Sequence, residues 1–303
     1  MKTAIEWCDY TFNPWRGCAK VSPGCASCYA ETLSRRNPNV LGTWGPTGQR
    51  VIAAESYWRL PLRWNEEAKE SGERRKVFCA SLSDVFEDRP ELVDSRYRLF
   101  DLVCETPSLD WLLLTKRPDQ AKYWLDDEWE ESPTNVWIGV SVEDQQRAND
   151  LVPLLLQTPA AVRFLSCEPL LDRVFLPFGW AGSWSSRCSA GCGLKFADCK
   201  FEPDALCRCA APLRITKNHD QAIHWVIIGG ESGPNARPCH IEWIRSLVEQ
   251  CRAAGVACLV KQLGRKPIGI NGVPLQLHDR EGRDPSEWPE DLRVRQFPGG
   301  SLC

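Results

Sequence analysis

No stretch of the 303-residue chain approaches the run of about 18 uncharged apolar residues that a membrane-spanning helix needs, so no span is expected. The opening decapeptide, MKTAIEWCDY, has Glu6 and Asp9 where a secretion signal needs its apolar stretch, which points to a cytoplasmic chain. A surplus of one charge is lacking too. With 37 basic and 40 acidic residues the net charge is -3, which argues against coating nucleic acid by bulk electrostatics and leaves room only for a local basic groove. G-x-G-x-x-G and GK[ST] spacings are absent as well. Gly229-Gly230-Glu231-Ser232-Gly233 matches neither, so its glycines are read as letting a ligand approach the backbone.

Cysteine and tryptophan, by contrast, are plentiful at 16 and 14. In a reducing compartment thiols serve as metal ligands or small buried hydrophobes more often than as disulfides, so their spacing carries information. Apolar runs bounded by polar residues recur at 76–88, 109–119, 135–144, 162–171, 224–233 and 256–264. Continuous apolar strands suit a parallel sheet covered on both faces. Helical periodicity fills 90–105, 142–157 and 240–255, the last stopping at Gly255. The alternation predicts an α/β fold, a partial (β/α) TIM-like barrel spanning 1–178 and 219–264, with a doubly wound open sheet as the alternative. Between them, 179–218 has five cysteines and little periodicity and is read as a Cys-rich metal-binding insertion; 265–303 is expected to be an irregular, surface-draped tail.

Cys18, Cys25 and Cys28 lie six and then two residues apart, and the helix expected after them places amide dipoles where they favour thiolate. Structural zinc takes four protein ligands and catalytic zinc usually includes histidine, so three thiols without a nearby histidine suit a [4Fe-4S] cluster with one open iron. A zinc site completed by Cys8, or free thiols, are the other readings. The stretches IEWCDYTFNPWRGC, PGCASCYAE, LLLTKRPD, FLSCEPLL and VIIGGESG resemble the phage-associated three-Cys-motif proteins, regarded as radical S-adenosylmethionine (SAM)-like. The resemblance implies that Cys18, Cys25 and Cys28 hold a cluster whose open iron binds SAM. It further implies reductive cleavage of SAM to a 5'-deoxyadenosyl radical, an electron donor, and a phage- or prophage-encoded enzyme in the host cytoplasm. The usual spacing of three then two residues, with an aromatic before the third cysteine, is replaced here by six then two, with Tyr29 after it.

Sites in such folds form at the carboxyl ends of the strands. Those ends carry Ser83, Asp84, Thr115, Lys116, Arg117, Ser141, Glu143, Glu168, Glu231 and Lys261, and with Tyr29 they are the candidate cofactor-binding residues. Cations and carboxylates together fit a nucleoside-containing ligand such as SAM, or pair with one another across the mouth. In the insertion, Cys188, Cys192, Cys207 and Cys209 form two close pairs suited to zinc, with Cys199 as a spare ligand. Trp7, Trp15, Trp44, Trp58 and Trp64 interleave with Arg16, Arg35, Arg36, Arg50, Arg59 and Arg63, which suits either base stacking or core packing. The substrate is expected to be a nucleotide or a nucleic-acid base. The rival from another class is a non-enzymatic, zinc-braced nucleic-acid-binding protein.

Overall fold

The computed structural model describes residues 3, 5–129, 132–176, 180 and 222–299. Its centre is a parallel sheet of seven strands: β1 (Tyr10–Phe12), β2 (Arg75–Cys79), β3 (Leu109–Thr115), β4 (Val136–Ser141), β5 (Val162–Cys167), β6 (Trp225–Gly229) and β7 (Ala257–Gln262). Each strand pairs with its neighbours in the chain, so the sheet reads β1 to β7 in order. Representative registers are Trp111 opposite Val136, Trp137 opposite Val162, and Phe164 opposite Trp225. A doubly wound sheet reverses its strand order at a switch point. None occurs here, and the sheet curls into a half-barrel.

The helices are α1 (Tyr29–Ser34), α2 (Pro38–Leu41), α3 (Glu55–Trp58), α4 (Leu60–Ser71), α5 (Val93–Glu105), α6 (Pro118–Glu128), α7 (Gln145–Leu156) and α8 (Ile241–Ala254). The strands are apolar almost throughout because both faces are covered. Val77, Trp111, Ile138, Leu165 and Val226 pack outward with Leu99, Leu125, Leu155 and Leu247 from the helices. Phe78, Leu112, Trp137, Phe164, Trp225 and Leu259 point the other way and fill the concave side. Trp7 and Phe297 close this inner cluster, their rings 6.2 and 5.3 Å from that of Trp225. The concave side is thus a second core, which leaves the strand ends as the polar part of the barrel.

The helices expected at 90–105, 142–157 and 240–255 form, and α8 does stop at Gly255. β1, α4 and α6 were not legible. Three residues are too few to show a strand run, and among the charges of α4 only Pro61, Trp64, Asn65 and Ala68 are buried. The tail has the irregular backbone expected of it, but it is packed rather than draped. Trp288 and Leu292 are buried, Val260 N–H donates to Val294 O at 2.9 Å, and Gln296 N–H donates to Cys258 O at 2.8 Å. An open strand edge needs a partner, and the tail supplies one for β7. The insertion joins the neighbouring strands β5 and β6; apart from Trp180, the segment 179–218, with Cys188, Cys192, Cys199, Cys207 and Cys209, lies outside the described residues. Among the described residues no helix is long and apolar enough to cross a membrane.

Candidate functional site

The chain leaving β1 crosses the C-terminal end of the sheet before α4, carrying Cys18, Cys25 and Cys28 over the barrel mouth. It is fastened there by one strand end after another. Ser83 Oγ donates to Trp15 O at 3.0 Å and Gly17 N–H donates to Leu82 O at 3.1 Å, both behind β2. Tyr29 OH donates to Ser81 O at 2.6 Å. Arg117, behind β3, donates to Ala19 O at 3.0 Å. Ser22 Oγ donates to a carboxylate oxygen of Glu143, behind β4. Arg237 donates to Pro23 O at 3.0 Å while gripping Glu231, which also interacts with Ser27.

Five of the eleven predicted cofactor-binding residues, Tyr29, Ser83, Arg117, Glu143 and Glu231, therefore fasten the cysteine loop directly. Asp84 is the hub of one side: its carboxylate accepts from Thr115 Oγ1 at 2.8 Å, from Arg117 Nη1 at 2.7 Å, and from Lys116 N–H at 3.2 Å. Beside it, the buried pair Arg50–Glu87 (2.6 Å) ties down the turn at 43–48, through Arg50 bonds to the carbonyls of Thr43, Gly45 and Gly48. Glu143 organises the other side, with Lys116 Nζ 3.0 Å from Oε1. Its Oε2 is buried with no partner among the described residues. Arg237 holds Glu231 through Nε and Nη2 at 2.9 and 2.7 Å. Burial alone would push Glu231 up, but the Arg237 bonds outweigh it and draw the carboxyl below its ordinary range.

Lys261 and Glu168 stand apart from this bracing. Nζ lies 2.7 and 3.0 Å from the two carboxylate oxygens, Gln262 adds a bond at 3.2 Å, and both side chains keep some exposure. Ser141 is buried at the end of β4, opposite Ser166. Gly230 lies against the Leu263 carbonyl and Gly264, so the close approach its missing side chain permits is made by the chain after β7.

Cys18, Cys25 and Cys28 are all partly exposed. The Cys25 thiol is 3.6 Å from Ser22 Oγ and within electrostatic reach of Cys28, whereas the charged neighbours of Cys18 are Asp84, Arg117 and Glu87. Among the described residues no group of three or more His, Cys, Asp or Glu side chains is arranged to hold a metal. Burial pushes the Cys18 thiol up to about 12, assisted by Asp84 and opposed by Arg117. Cys28 caps α1 as expected, but the expected preference for thiolate is reversed. Desolvation outweighs the pull of the Ala30 and Glu31 N–H groups, neither of which closes a cap hydrogen bond. Tyr29 keeps 54% of its surface, yet burial of its hydroxyl end pushes the phenol up to about 12. Cys8 bonds to the Ile5 carbonyl and neighbours Lys76 and Lys261, on the inner wall.

Sequence reasoning missed Ser22, Glu87 and Arg237, and it grouped Arg50 with the tryptophans rather than with the mouth. Only Arg237 had a visible signal, its spacing of six residues from Glu231. The tryptophan reading resolves toward packing, since Trp7, Trp15, Trp58 and Trp64 are all buried and Trp44 alone of the five is partly exposed. A family model described as a protein of unknown function (DUF5131) matches residues 2–284. No curated protein and no solved structure matches the chain.

Proposed function

Since the chain belongs to the DUF5131 family, whose description assigns no activity, we propose from its own residues that it is a radical-SAM-type enzyme acting on a nucleotide or a nucleic-acid base. The observation that carries the reading is the fastening of one three-thiol loop across the C-terminal mouth of a parallel half-barrel, at the ends of several successive strands. The donor set has the ligand chemistry of a [4Fe-4S] cluster, three partly exposed thiols on one loop with no histidine among its anchors, and the loop must draw them together to hold it. Held by Cys18, Cys25 and Cys28, such a cluster would supply the electron for reductive cleavage of SAM, after reduction by an electron donor.

The chain's own residues have separable duties. Arg117 and Asp84 steady Cys18, Ser22 and Glu143 steady Cys25, and Arg237 with Glu231 holds the backbone between them. Lys261 and Glu168, which touch none of the loop anchors, are the pair available to the carboxylate and amino group of SAM. The raised thiols make metal uptake proton-coupled, so loading should improve with pH.

Anaerobic purification followed by absorption and EPR spectroscopy tests the reading. A reduced four-iron signal that changes on adding SAM, and is lost in Cys18→Ser, Cys25→Ser or Cys28→Ser, is the expected result. Zinc with no cluster after reconstitution would overturn it in favour of the zinc-braced binding protein.

A further inference from the structure

Beyond β7 the chain lines an open groove of about 440 Å³, walled by Gly264, Arg265, Lys266, Pro274, Leu275 and Arg280 among others. The wall of the groove is hydrogen-bonded to segments of the site. Arg265 N–H donates to Glu231 O at 2.9 Å, and Cys239 N–H donates to Lys266 O at 3.0 Å, directly after the Arg237 that grips the cysteine loop. Residues 261–283 hold five basic residues against two acidic ones, in a chain where acids outnumber bases overall.

Both acids in this stretch are already engaged. Asp279 is held below its ordinary range, first by the Arg283 backbone N–H and also by that of Glu281. Glu281 takes the Gly233 N–H at 3.1 Å and lies 3.6 and 3.8 Å from Arg265 and Arg283. Lys266 and Arg280 are exposed and make no salt bridge with any described residue. The hairpin whose base lines the groove presents Ile270 and Val273 at its tip, 62% and 63% exposed.

We propose that this groove binds the sugar-phosphate backbone of a single-stranded nucleic acid and leads it to the barrel mouth, an inference that rests on the reading of the mouth as acting on a nucleotide or base. Unpaired, solvated cations along an open groove attract successive phosphates through counterion release, whereas one desolvated phosphate calls for an enclosed cradle of donors. Exposed aliphatic side chains beside them give bases a surface to contact. A single strand also presents its bases without the energy of unpairing a duplex.

The test is fluorescence anisotropy of a labelled single-stranded oligonucleotide with the full chain, titrated at several salt concentrations, for wild type and Lys266→Glu/Arg280→Glu. Both positions are exposed, and circular dichroism checks that the variant folds. The expected result is a wild-type affinity that falls log-linearly with salt. The double variant binds about tenfold or more weakly at the lowest salt, with a slope shallower by roughly 0.7 per lost phosphate contact. Equal binding by variant and wild type, no binding by wild type, preference for duplex, or displacement by a mononucleotide as effective as by the strand each overturns the proposal. Iron content and the spectroscopic response to SAM are read on the same samples. A chain without a cluster that binds the strand through Lys266 and Arg280 keeps the groove and removes the reading of the mouth; a SAM-responsive cluster with no strand binding does the reverse.

Discussion

Gly24 sets how closely the cysteine loop can lie on Glu143. A Cβ at this position would overlap the Glu143 carboxylate, so Gly24→Ala must lift the loop or turn the carboxylate away from Ser22 and Lys116. Overpacking of this kind costs about 1–3 kcal/mol, to be read from the denaturant midpoint. The Glu143–Lys116 pair makes a sharper case, because Glu143 is fully buried while the Lys116 side chain keeps 19% of its exposure. Glu143→Ala leaves the ammonium and Ser22 without their partner and should destabilise by about 1–3 kcal/mol, and adding Lys116→Met should restore part of that in a double-mutant cycle. If the two single losses simply add, the pair is not coupled. The apolar runs that end in these residues made them legible in the sequence. Their direction was not, because the groups they hold, Ser22 Oγ and the Ala19 and Pro23 carbonyls, are distant in the chain and carry no pattern.

The C-terminal tail owes its order to partners on other elements. It lies along β7, and Asp291 in its last 3-10 turn is gripped by Arg245 of α8. Arg245 holds the Asp291 carboxyl below the ordinary aspartate value of 3.8, so the folded chain takes up this proton less readily than the unfolded chain. The contribution is complete above 3.8 and fades as pH falls through the lowered folded value. Thermal unfolding of Asp291→Asn should therefore trail wild type near neutrality and converge with it as the solution is acidified toward pH 3; a constant gap would show that the charge is not responsible. Long periodic elements such as α5, α7 and α8 were readable because one face of each is apolar. α4 and α6 escaped because their apolar residues are fewer and set among charges, and the tail's packing escaped because its segments are too short to show a period.

At the scale of the whole molecule, alternating strands and helices fixed the class of fold, and chain-order pairing distinguished the half-barrel from a doubly wound sheet. Strand order depends on which edges meet, which a single sequence does not encode locally. The same scale separates the two cysteine groups. One lies on the loop across the mouth, whereas Cys188, Cys192, Cys207 and Cys209 belong to the segment between β5 and β6. If the first takes a [4Fe-4S] cluster and the second takes zinc, the metals should be independently removable. Elemental analysis of anaerobically prepared protein should find about four irons per chain, lost in Cys25→Ser with zinc retained. It should also find about one zinc, lost when Cys188, Cys192, Cys207 and Cys209 all become serine, with iron retained. Zinc that survives the fourfold change would place it elsewhere, and iron that leaves with it would mean that the segment between β5 and β6 contributes to the mouth.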